Sequence, residues 1–329
     1  MNLGCVSCFL YTEVIMTLVQ LSYIVAVDTH RHFATAAEHC FVTQPTLSMQ
    51  IHKLEDELGV EIFDRTKQPI KPTDIGKKII EQARITIKES ERIQDIINTE
   101  MNEISGEFRV GIIPTIAPYL IPLFLKTFTE KYPKVELIID EIQTSQILDR
   151  LGKDLVDVGI LATPLEQDRY IELPLYYEPL LGYVPENHPL HNETELQTDK
   201  LSIDDLLLLD EGNCFREQAM MLCNKYRTNG SSKNTHFESG NLETLRKLAN
   251  QGLGMTILPQ LMIDELENPK EKSLIRPFTK PTPTREISLI YGHCYLKKHI
   301  IDALVAEIQS HIPKAMLTKE DVEVLDLGM

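Results

Sequence analysis

The sequence predicts an α/β protein in which a small helical head precedes a larger body of two lobes. Apolar residues recur at steps of three and four between residues 18 and 104, as they do in amphipathic helices. Beyond residue 106, short apolar runs alternate with helical patterns, which is typical of parallel sheets with crossover helices. The 329 residues suffice for two or three folding units, and 43% of them are hydrophobic, so each unit can bury a core.

The distribution of charge limits the functions that the chain can have. A formal net charge of -16 argues against a protein that coats nucleic acid or anionic lipid non-specifically. The charge is uneven, because residues 16–92 carry ten Lys and Arg against eleven Asp and Glu. Such a nearly neutral head is compatible with DNA binding through one face. No run approaches the roughly 18 apolar residues of a membrane span, so no membrane association is predicted.

The six cysteines are too few and too irregularly spaced for a disulfide scaffold, which favours a reducing, cytoplasmic location. Residues 1–15 contain no Lys or Arg and therefore lack the basic start of a secretory signal. We interpret them as a non-native or disordered extension. Cys5 and Cys8 form a CxxC pair there, but no second Cys or His pair lies at metal-finger spacing. Neither a metal nor another cofactor is therefore predicted.

Residues 16–73 predict a winged helix-turn-helix. One amphipathic helix starts at Leu18, a short second helix spans 32–40, and a third lies within 41–59. Thr43 is expected to cap the third helix, with Pro45 in its first turn. Its apolar face, expected in the core, consists of Leu47, Ile51, Leu54 and Leu58. Its opposite face carries flexible polar groups that suit base edges and phosphates. The residues that we expect to contact DNA are Gln44, Pro45, Thr46, Ser48, Gln50, Lys53 and Arg65.

Residues 61–73 predict a short hairpin, a wing that can lay Arg65, Lys67 and Lys71 against the DNA backbone. A small helical bundle with a solvated polar face would show the same pattern, so the pattern alone leaves both interpretations open. Residues 74–104 predict a helix about 45 Å long with one apolar stripe. The stripe can be buried against the chain's own body or against a second subunit. We favour a dimer, because two heads can then read two half-sites.

The body, residues 107–311, contains two successive sets of alternating strands and helices. We place lobe I at about 107–178 and 282–311 and lobe II at about 179–281, followed by an acidic tail at 312–329. The predicted strands are 108–113, 135–142, 156–161, 180–184, 206–209, 236–238, 255–258 and 286–291. Ligands of open α/β sheets bind outside the carboxyl ends of the strands, and Thr115 follows one such end.

Two cysteines nine residues apart, Cys214 and Cys223, mark the most informative segment of the body. Cys214 is expected near a helix N-terminus, where the helix dipole and Arg216 favour a thiolate, although Asp210, Glu211 and Glu217 oppose it. In one continuous helix the two sulfurs would lie about 13 Å apart along the axis and on opposite sides. A disulfide therefore requires the intervening helix to break, as a redox switch would. Two ordinary buried cysteines would give the same spacing, and the residues alone leave this alternative open.

Longer motifs then show a resemblance to a known family. The run FATAAEHCFVTQPTLSMQIHKLEDELGVEIFDR, residues 33–65, resembles the signature of LysR-type transcriptional regulators. GIIPTIAPYLIP (111–122), EIQTSQ (141–146), GNCFREQAM (212–220) and the run from residue 235 to 259 are similar to peroxide-sensing members of that family. The resemblance implies a DNA-binding regulator, not an enzyme. It also implies that the body is a two-lobed, periplasmic-binding-protein-like effector domain.

The resemblance also implies roles for individual residues. Cys214 would be oxidised by peroxide to a sulfenic acid, and Cys223 would resolve it as a disulfide. The peroxide pocket that it implies comprises Thr115, Thr144, Asn213, Arg216, Arg285 and His236. Asn213 departs from the family, which usually has His directly before the reactive Cys, and Asn cannot titrate near neutral pH. The implied partners are double-stranded DNA, further copies of the chain in a dimer of dimers, RNA polymerase, and glutaredoxin or thioredoxin as reductant.

Three other functions stay open on the sequence. A LysR-type regulator gated by a small organic ligand between the lobes would share the fold and leave the cysteines incidental. A thiol peroxidase would turn over peroxide continuously, but it would have no use for a helix-turn-helix. A solute-binding transport protein would need an export signal, which residues 1–15 do not resemble.

Overall fold

The computed structural model describes residues 16–100, 104–165, 167, 169–223, 239–292 and 297–325. The chain divides into two compact units, one ending at Ile97 and the other starting at Asn98. Each unit has its own hydrophobic core. Within the described residues, no helix combines the length and the apolar character that crossing a membrane requires.

The first unit contains the helices and the hairpin that the sequence predicts. Its elements are α1 (Leu18–His30), α2 (Phe33–His39), α3 (Gln44–Leu58), β1 (Phe63–Asp64), β2 (Lys71–Pro72) and α4 (Asp74–Glu100). The predicted cap is confirmed, because the Thr43 hydroxyl accepts a hydrogen bond from the Thr46 amide at 3.4 Å. The predicted core face of α3 is also confirmed: Leu47, Ile51 and Leu54 are fully buried, and Leu58 packs against them. β1 and β2 pair antiparallel and form the wing.

Helix α4 spans 27 residues, or about 40 Å. On one side, Ile80 and Ala83 are buried in the core of the first unit. Ile75, Ile85 and Ile93 expose 47%, 41% and 65% of their surfaces, so no described residue of the chain fully covers this apolar stripe. The predicted continuation of the helix over 101–103 lies outside the described residues, and Ile104, the last residue of the prediction, is not helical.

The second unit is a mixed α/β body. Its elements up to the first site cysteine are β3 (Gly106–Ile112), α5 (Ala117–Lys131), β4 (Val135–Glu141), α6 (Thr144–Gly152), β5 (Val158–Thr163), β6 (Tyr170–Tyr183) and α7 (Cys214–Met221). Those that follow are α8 (Leu242–Asn250), β7 (Thr256–Pro259), α9 (Gln260–Asp264), α10 (Pro269–Lys272), β8 (Ile275–Arg276), β9 (Thr282–Gly292), α11 (Lys298–His311) and β10 (Val322–Val324). The alternation of strands and helices is thus present, as expected for this fold class.

Strand direction differs from the expectation of purely parallel sheets. The strands follow the order β4-β3-β5-β9-β6-β7, and β3 is parallel to both β4 and β5. β9, however, is antiparallel to β5 and to β6, and β6 is also antiparallel to β7. The expectation was wrong for β6 and β9 because an apolar run shows that a strand is buried but not which way it points.

Two strands that the sequence predicts for the second lobe are not present as regular strands among the described residues. The predicted strand at 206–209 is wrong, since these residues form only isolated bridges, from Leu206 to Met255 and from Leu209 to Ser239. Here the chain approaches its neighbour at two points without a continuous ladder. The predicted strand at 236–238 lies outside the described residues.

The segment after residue 311 adds to the body. Residues Lys314–Met316 form one 3-10 turn that packs against β6, and Met316 is buried. β10 then pairs parallel with the first residues of β9. Thus the described part of the stretch that the sequence marks only as an acidic tail adds one short strand to the sheet and one turn packed on β6.

Candidate functional site

Cys214 is the first residue of α7, and the turn before it sets its position. Gly212 has a φ of 84°, a conformation that glycine adopts without strain. Asn213 is the N-cap of α7, and its Oδ1 accepts a hydrogen bond from the Phe215 amide at 3.1 Å. The Cys214 thiol is free and half-buried. Because it opens a helix, it lies at the positive end of the helix dipole, which favours negative charge.

Thr144 is the side chain that the structure places next to the Cys214 sulfur. It is the first residue of α6, is 5% exposed, and its Oγ1 lies 3.1 Å from Cys214 Sγ. Either atom can donate the proton of this hydrogen bond. The hydroxyl can therefore donate to a thiolate or accept from a thiol, and two residues distant in sequence meet as the family resemblance implies.

Arg285 lies in a second, fully buried cluster. Its Nε and Nη2 both lie 2.7 Å from Glu178 Oε2, and both groups are 1% exposed. Its Nη1 donates to Thr115 Oγ1 at 3.1 Å and its Nη2 to the Thr115 carbonyl at 3.2 Å. The guanidinium carbon also lies 5.0 Å from the centre of the Phe215 ring, the residue after Cys214. Arg285 and Thr115 are thus brought together, and they reach α7 through Phe215.

Glu178 is a functional-site residue that the sequence analysis missed. Besides binding Arg285, its Oε1 accepts a hydrogen bond from the Leu261 amide at 3.0 Å. Burial and the Glu178 carboxylate raise the pKa of the neighbouring Tyr176 well above its usual value, so that phenol stays neutral. The sequence carries only a weak signal for Glu178, a carboxylate in a mostly apolar strand, β6, that also carries Glu172.

Arg216 was expected in the pocket, but its side chain points to another part of the body. Its Nη1 donates to the Leu209 carbonyl at 2.6 Å. The physical reason is helix geometry, since a residue two positions after Cys214 is turned by about 200° around the axis. His236, also expected in the pocket, lies outside the described residues.

Cys223 differs from Cys214 in its surroundings. It lies two residues after the end of α7, is buried, and its Sγ donates to the Ala219 carbonyl at 3.6 Å. Burial raises the pKa of the Cys223 thiol to about 11, so it is protonated at neutral pH. Both cysteines are free thiols in this structure.

One more buried polar group lies between the two cysteines. Gln218 is 0% exposed, yet neither atom of its amide has a hydrogen-bond partner among the described residues. An unbonded buried polar atom is unfavourable, at about 1–3 kcal/mol each. As far as the described residues go, helix α7 thus carries an unfavourable group on the segment that joins Cys214 to Cys223.

The polar face of α3 forms the candidate nucleic-acid interface of the first unit. Gln44, Pro45, Thr46 and Lys53 are exposed, and Ser48 and Gln50 are half-buried. Thr46, Gln50 and Lys53 also line an open groove between α3 and the first turns of α1. These six predicted contacts therefore lie on α3, the position of a recognition helix.

Arg65 has a different environment from these six residues. Its Nη2 lies 2.7 Å from Glu55 Oε2, and its guanidinium lies 5.6 Å from the Phe33 ring centre. Glu55 is buried and accepts hydrogen bonds from the Ile62 and Phe63 amides. Arg65 thus holds the base of the wing in place through Glu55 and Phe33. The sequence predicted a contact with DNA for Arg65 and did not predict this structural role.

Comparison with known proteins agrees with this architecture. The family model "Bacterial regulatory helix-turn-helix protein, lysR family" matches residues 18–77, and the model "LysR substrate binding domain" matches residues 101–312. The DNA-binding transcriptional dual regulator OxyR of Escherichia coli is 36% identical over 305 residues, 92% of this chain and 99% of that protein. A full-length OxyR variant from Pseudomonas aeruginosa has a TM-score of 0.75 at 33% identity, covering 90% of this chain and 99% of that one.

A third relative is an OxyR variant from Corynebacterium glutamicum that was solved with hydrogen peroxide bound. It has a TM-score of 0.56 at 31% identity, and the match covers 90% of this chain and 94% of that one. Both halves of the chain thus match the same kind of regulator, over nearly the whole length of these relatives. The chain therefore belongs to the LysR family of bacterial regulators, in its OxyR branch.

Proposed function

We propose that this chain is a cytoplasmic, peroxide-responsive transcriptional regulator, switched by a reversible disulfide between Cys214 and Cys223. The contrast between the two thiols carries the proposal. Cys214 is half-buried, opens a helix and lies 3.1 Å from the Thr144 hydroxyl, whereas Cys223 is buried and protonated. The related OxyR of Corynebacterium glutamicum binds hydrogen peroxide in its solved structure, which supports peroxide as the signal.

The chemistry has two steps. The Cys214 thiolate attacks one peroxide oxygen, the O–O bond breaks, and the departing hydroxide takes up a proton to leave as water. Cys214 is then a sulfenic acid. The sulfur of Cys223 attacks that of Cys214, and the sulfenic hydroxyl leaves as water with the Cys223 proton. Two electrons have passed from the two thiols to peroxide. Reduction by a glutaredoxin or thioredoxin restores both thiols.

The pocket that we assign to peroxide comprises the Thr144 and Thr115 hydroxyls, Asn213 and Arg285. Thr144 contacts the reacting sulfur directly, and Arg285 supplies a positive charge behind Phe215. We leave Arg216 out because its guanidinium is engaged by the Leu209 carbonyl. A role for His236 stays a prediction.

The second step requires α7 to open. Between its first and last residues α7 advances about 10 Å. A disulfide needs Cα atoms within about 7 Å. Bridging therefore unwinds at least part of the helix, which couples one oxidation event to a change of backbone.

We assign DNA reading to residues 16–73 and subunit pairing to the connector, residues 74–104. The exposed polar face of α3 supports the first assignment. The uncovered Ile75, Ile85 and Ile93 on α4 support the second, because a second copy can bury them. The regulatory body starts at residue 107 and includes the turn and strand after residue 311. The assembly is a dimer of dimers on double-stranded DNA that communicates with RNA polymerase.

Mass mapping of the thiols after a brief, modest dose of peroxide, alongside DNA footprinting, tests the proposal. We expect the loss of two thiols per chain, one Cys214–Cys223 link, and a changed footprint. Cys214→Ser should abolish all three. Cys40→Ser is the matched control, since Cys40 is a free, half-buried thiol of the first unit, and it should change none of them. Unchanged thiols, together with a footprint that responds to a small organic ligand, would refute the peroxide switch.

A further inference from the structure

The C-terminal strand β10 lies along the edge of β9 directly before Arg285. Val322, Glu323 and Val324 stand opposite Thr282, Pro283 and Thr284. The Thr282 amide donates to the Asp321 carbonyl at 3.2 Å, and the Leu325 amide donates to the Thr284 carbonyl at 2.9 Å. Backbone hydrogen bonds thus hold β9 in place up to the residue that precedes Arg285.

Arg285 lies where β9 changes neighbours. On one side, β6 pairs Glu178 with Arg285 and ends its ladder with Pro179 opposite Thr284. On the other side, the pairing of β9 with β5 begins only at Glu286, which stands opposite Thr163. Among the described strands, β10 is therefore the only partner of β9 at Thr282 and Pro283. Without β10, Thr282 and Pro283 at the start of β9 would pair with no described strand, and Arg285 follows them closely in the same strand.

Apolar side chains anchor this C-terminal segment to the body. Leu325, Met316 and Ile312 are 7%, 3% and 4% exposed, and the turn at Lys314–Met316 packs on β6. The ion pair between Lys280 and Asp321 spans 2.6 Å, but both side chains are 73% exposed, so it contributes little. The segment is thus attached mainly by burial of apolar surface, and Leu325 is the anchor next to the ladder.

The position of Arg285 matters because its contacts converge on the redox cysteine. It binds Glu178 and Thr115 and lies 5.0 Å from the Phe215 ring, one residue from Cys214. All of these contacts depend on where the backbone of β9 holds the Arg285 side chain. A misplacement of about 1 Å can slow a reaction by about 10²-fold.

We propose that residues 314–325 form a positioning strap for Arg285, with Leu325 as its principal positioning residue, and that the strap sets the rate of Cys214 oxidation by peroxide. This inference rests on the proposed function. The strap touches neither peroxide nor the sulfur and acts only through Arg285.

The test compares three lengths of the chain, each carrying Cys223→Ser so that the sulfenic acid persists. The full chain and a chain ending at Leu325 retain the strap, whereas a chain ending at Leu317 keeps the buried Met316 and loses β10. The readouts are the second-order rate of sulfenic acid formation with hydrogen peroxide and the rate of alkylation of Cys214 by iodoacetamide. At a pH where Cys214 is fully ionised, removing β10 should slow oxidation about tenfold while alkylation does not slow, because a positive charge assists the departure of hydroxide from peroxide far more than the departure of iodide.

Two further arms separate positioning from folding. Leu325→Asp should reproduce the loss of oxidation rate. Leu325→Ile, which keeps an apolar side chain buried at this position, should retain the full oxidation rate. In an Arg285→Lys background, removing β10 should add little further loss, since both changes act on the same group. Equal oxidation rates with and without β10, or fully additive losses, would overturn the strap. Failure of the full chain to oxidise at Cys214 would instead overturn the proposed function.

Discussion

Replacing Gln218 by Met should make the dithiol form of the protein more stable and the disulfide easier to reduce. Gln218 lies one helical turn after Cys214, is completely buried, and has no hydrogen-bond partner among the described residues. Met has a similar length and no polar atom to leave unbonded. Once α7 opens to form the disulfide, the Gln218 amide can reach water. The substitution therefore favours the dithiol state selectively.

The magnitude follows from the two unbonded atoms. Each costs about 1–3 kcal/mol, and we take about 2 kcal/mol for the pair, since Met will not pack perfectly. For a two-electron couple about 30 mV corresponds to 1.4 kcal/mol, so the reduction potential should become less negative by about 40 mV. The sign follows because stabilising the reduced form makes the disulfide a stronger oxidant. In reductant, the melting temperature of the body should rise by about 4–8 °C.

The assay equilibrates the protein in glutathione buffers of defined potential and counts bridged chains by mass. Thermal unfolding in reductant supplies the second readout. Gln251→Met is the matched control, because Gln251 is exposed, and it should change neither quantity. A potential that stays constant or becomes more negative while the reduced protein gains stability would show that Gln218 stays buried in the bridged form. An unchanged melting temperature would refute the unfavourable burial itself.

Three other changes have defined outcomes. Thr144→Val removes the hydroxyl at 3.1 Å from Cys214 Sγ and should slow sulfenic acid formation about tenfold in stopped-flow measurements, whereas Thr144→Ser should keep most of the rate. Gly76→Ala places a Cβ 2.1 Å from the Ile62 carbonyl oxygen, so the first unit should lose about 1–3 kcal/mol in denaturant unfolding and bind DNA more weakly. Since its folded pKa is raised to about 11 from 9.0, the Cys223 thiol stabilises the fold below pH 9, and this contribution should fade as the pH rises through 11. Cys223→Ala should remove that part of the pH dependence, and an identical pH profile in the variant would contradict it.

The sequence predicts the head well because each of its elements is specified locally. Thr43 caps α3, Pro45 stands in its first turn, and the stripe of Leu47, Ile51 and Leu54 marks its core face within one short window. The start of α7 at Cys214 is similarly local, since Asn213 and Gly212 form the cap and the turn. Such features need no knowledge of the rest of the chain.

The parts that sequence reasoning missed depend on pairing between distant segments. Glu178 and Arg285 are 107 positions apart, and nothing near either residue signals that β6 and β9 run antiparallel. β10 was missed for the same reason, because β9, the strand with which it pairs, lies far from it in the sequence. Arg216 was misplaced for the opposite reason: nearness to Cys214 in sequence suggested contact, whereas the turn of the helix directs its side chain to Leu209.

The burial of Cys223 determines the order of events and therefore the kinetics of the switch. Its thiol is protonated and donates to the Ala219 carbonyl, and a thiol attacks far more slowly than a thiolate. Oxidation thus begins at Cys214, and bridging waits until α7 opens and exposes Cys223. The rate of sulfenic acid formation should then rise linearly with peroxide concentration, whereas the rate of disulfide formation should reach a plateau at the opening rate of α7. Rapid-quench mass measurements over a range of peroxide doses would show both phases, and Gln218→Met should lower only the plateau. If the rate of disulfide formation instead kept rising with peroxide concentration and showed no plateau, the two sulfurs would be meeting without opening of the helix.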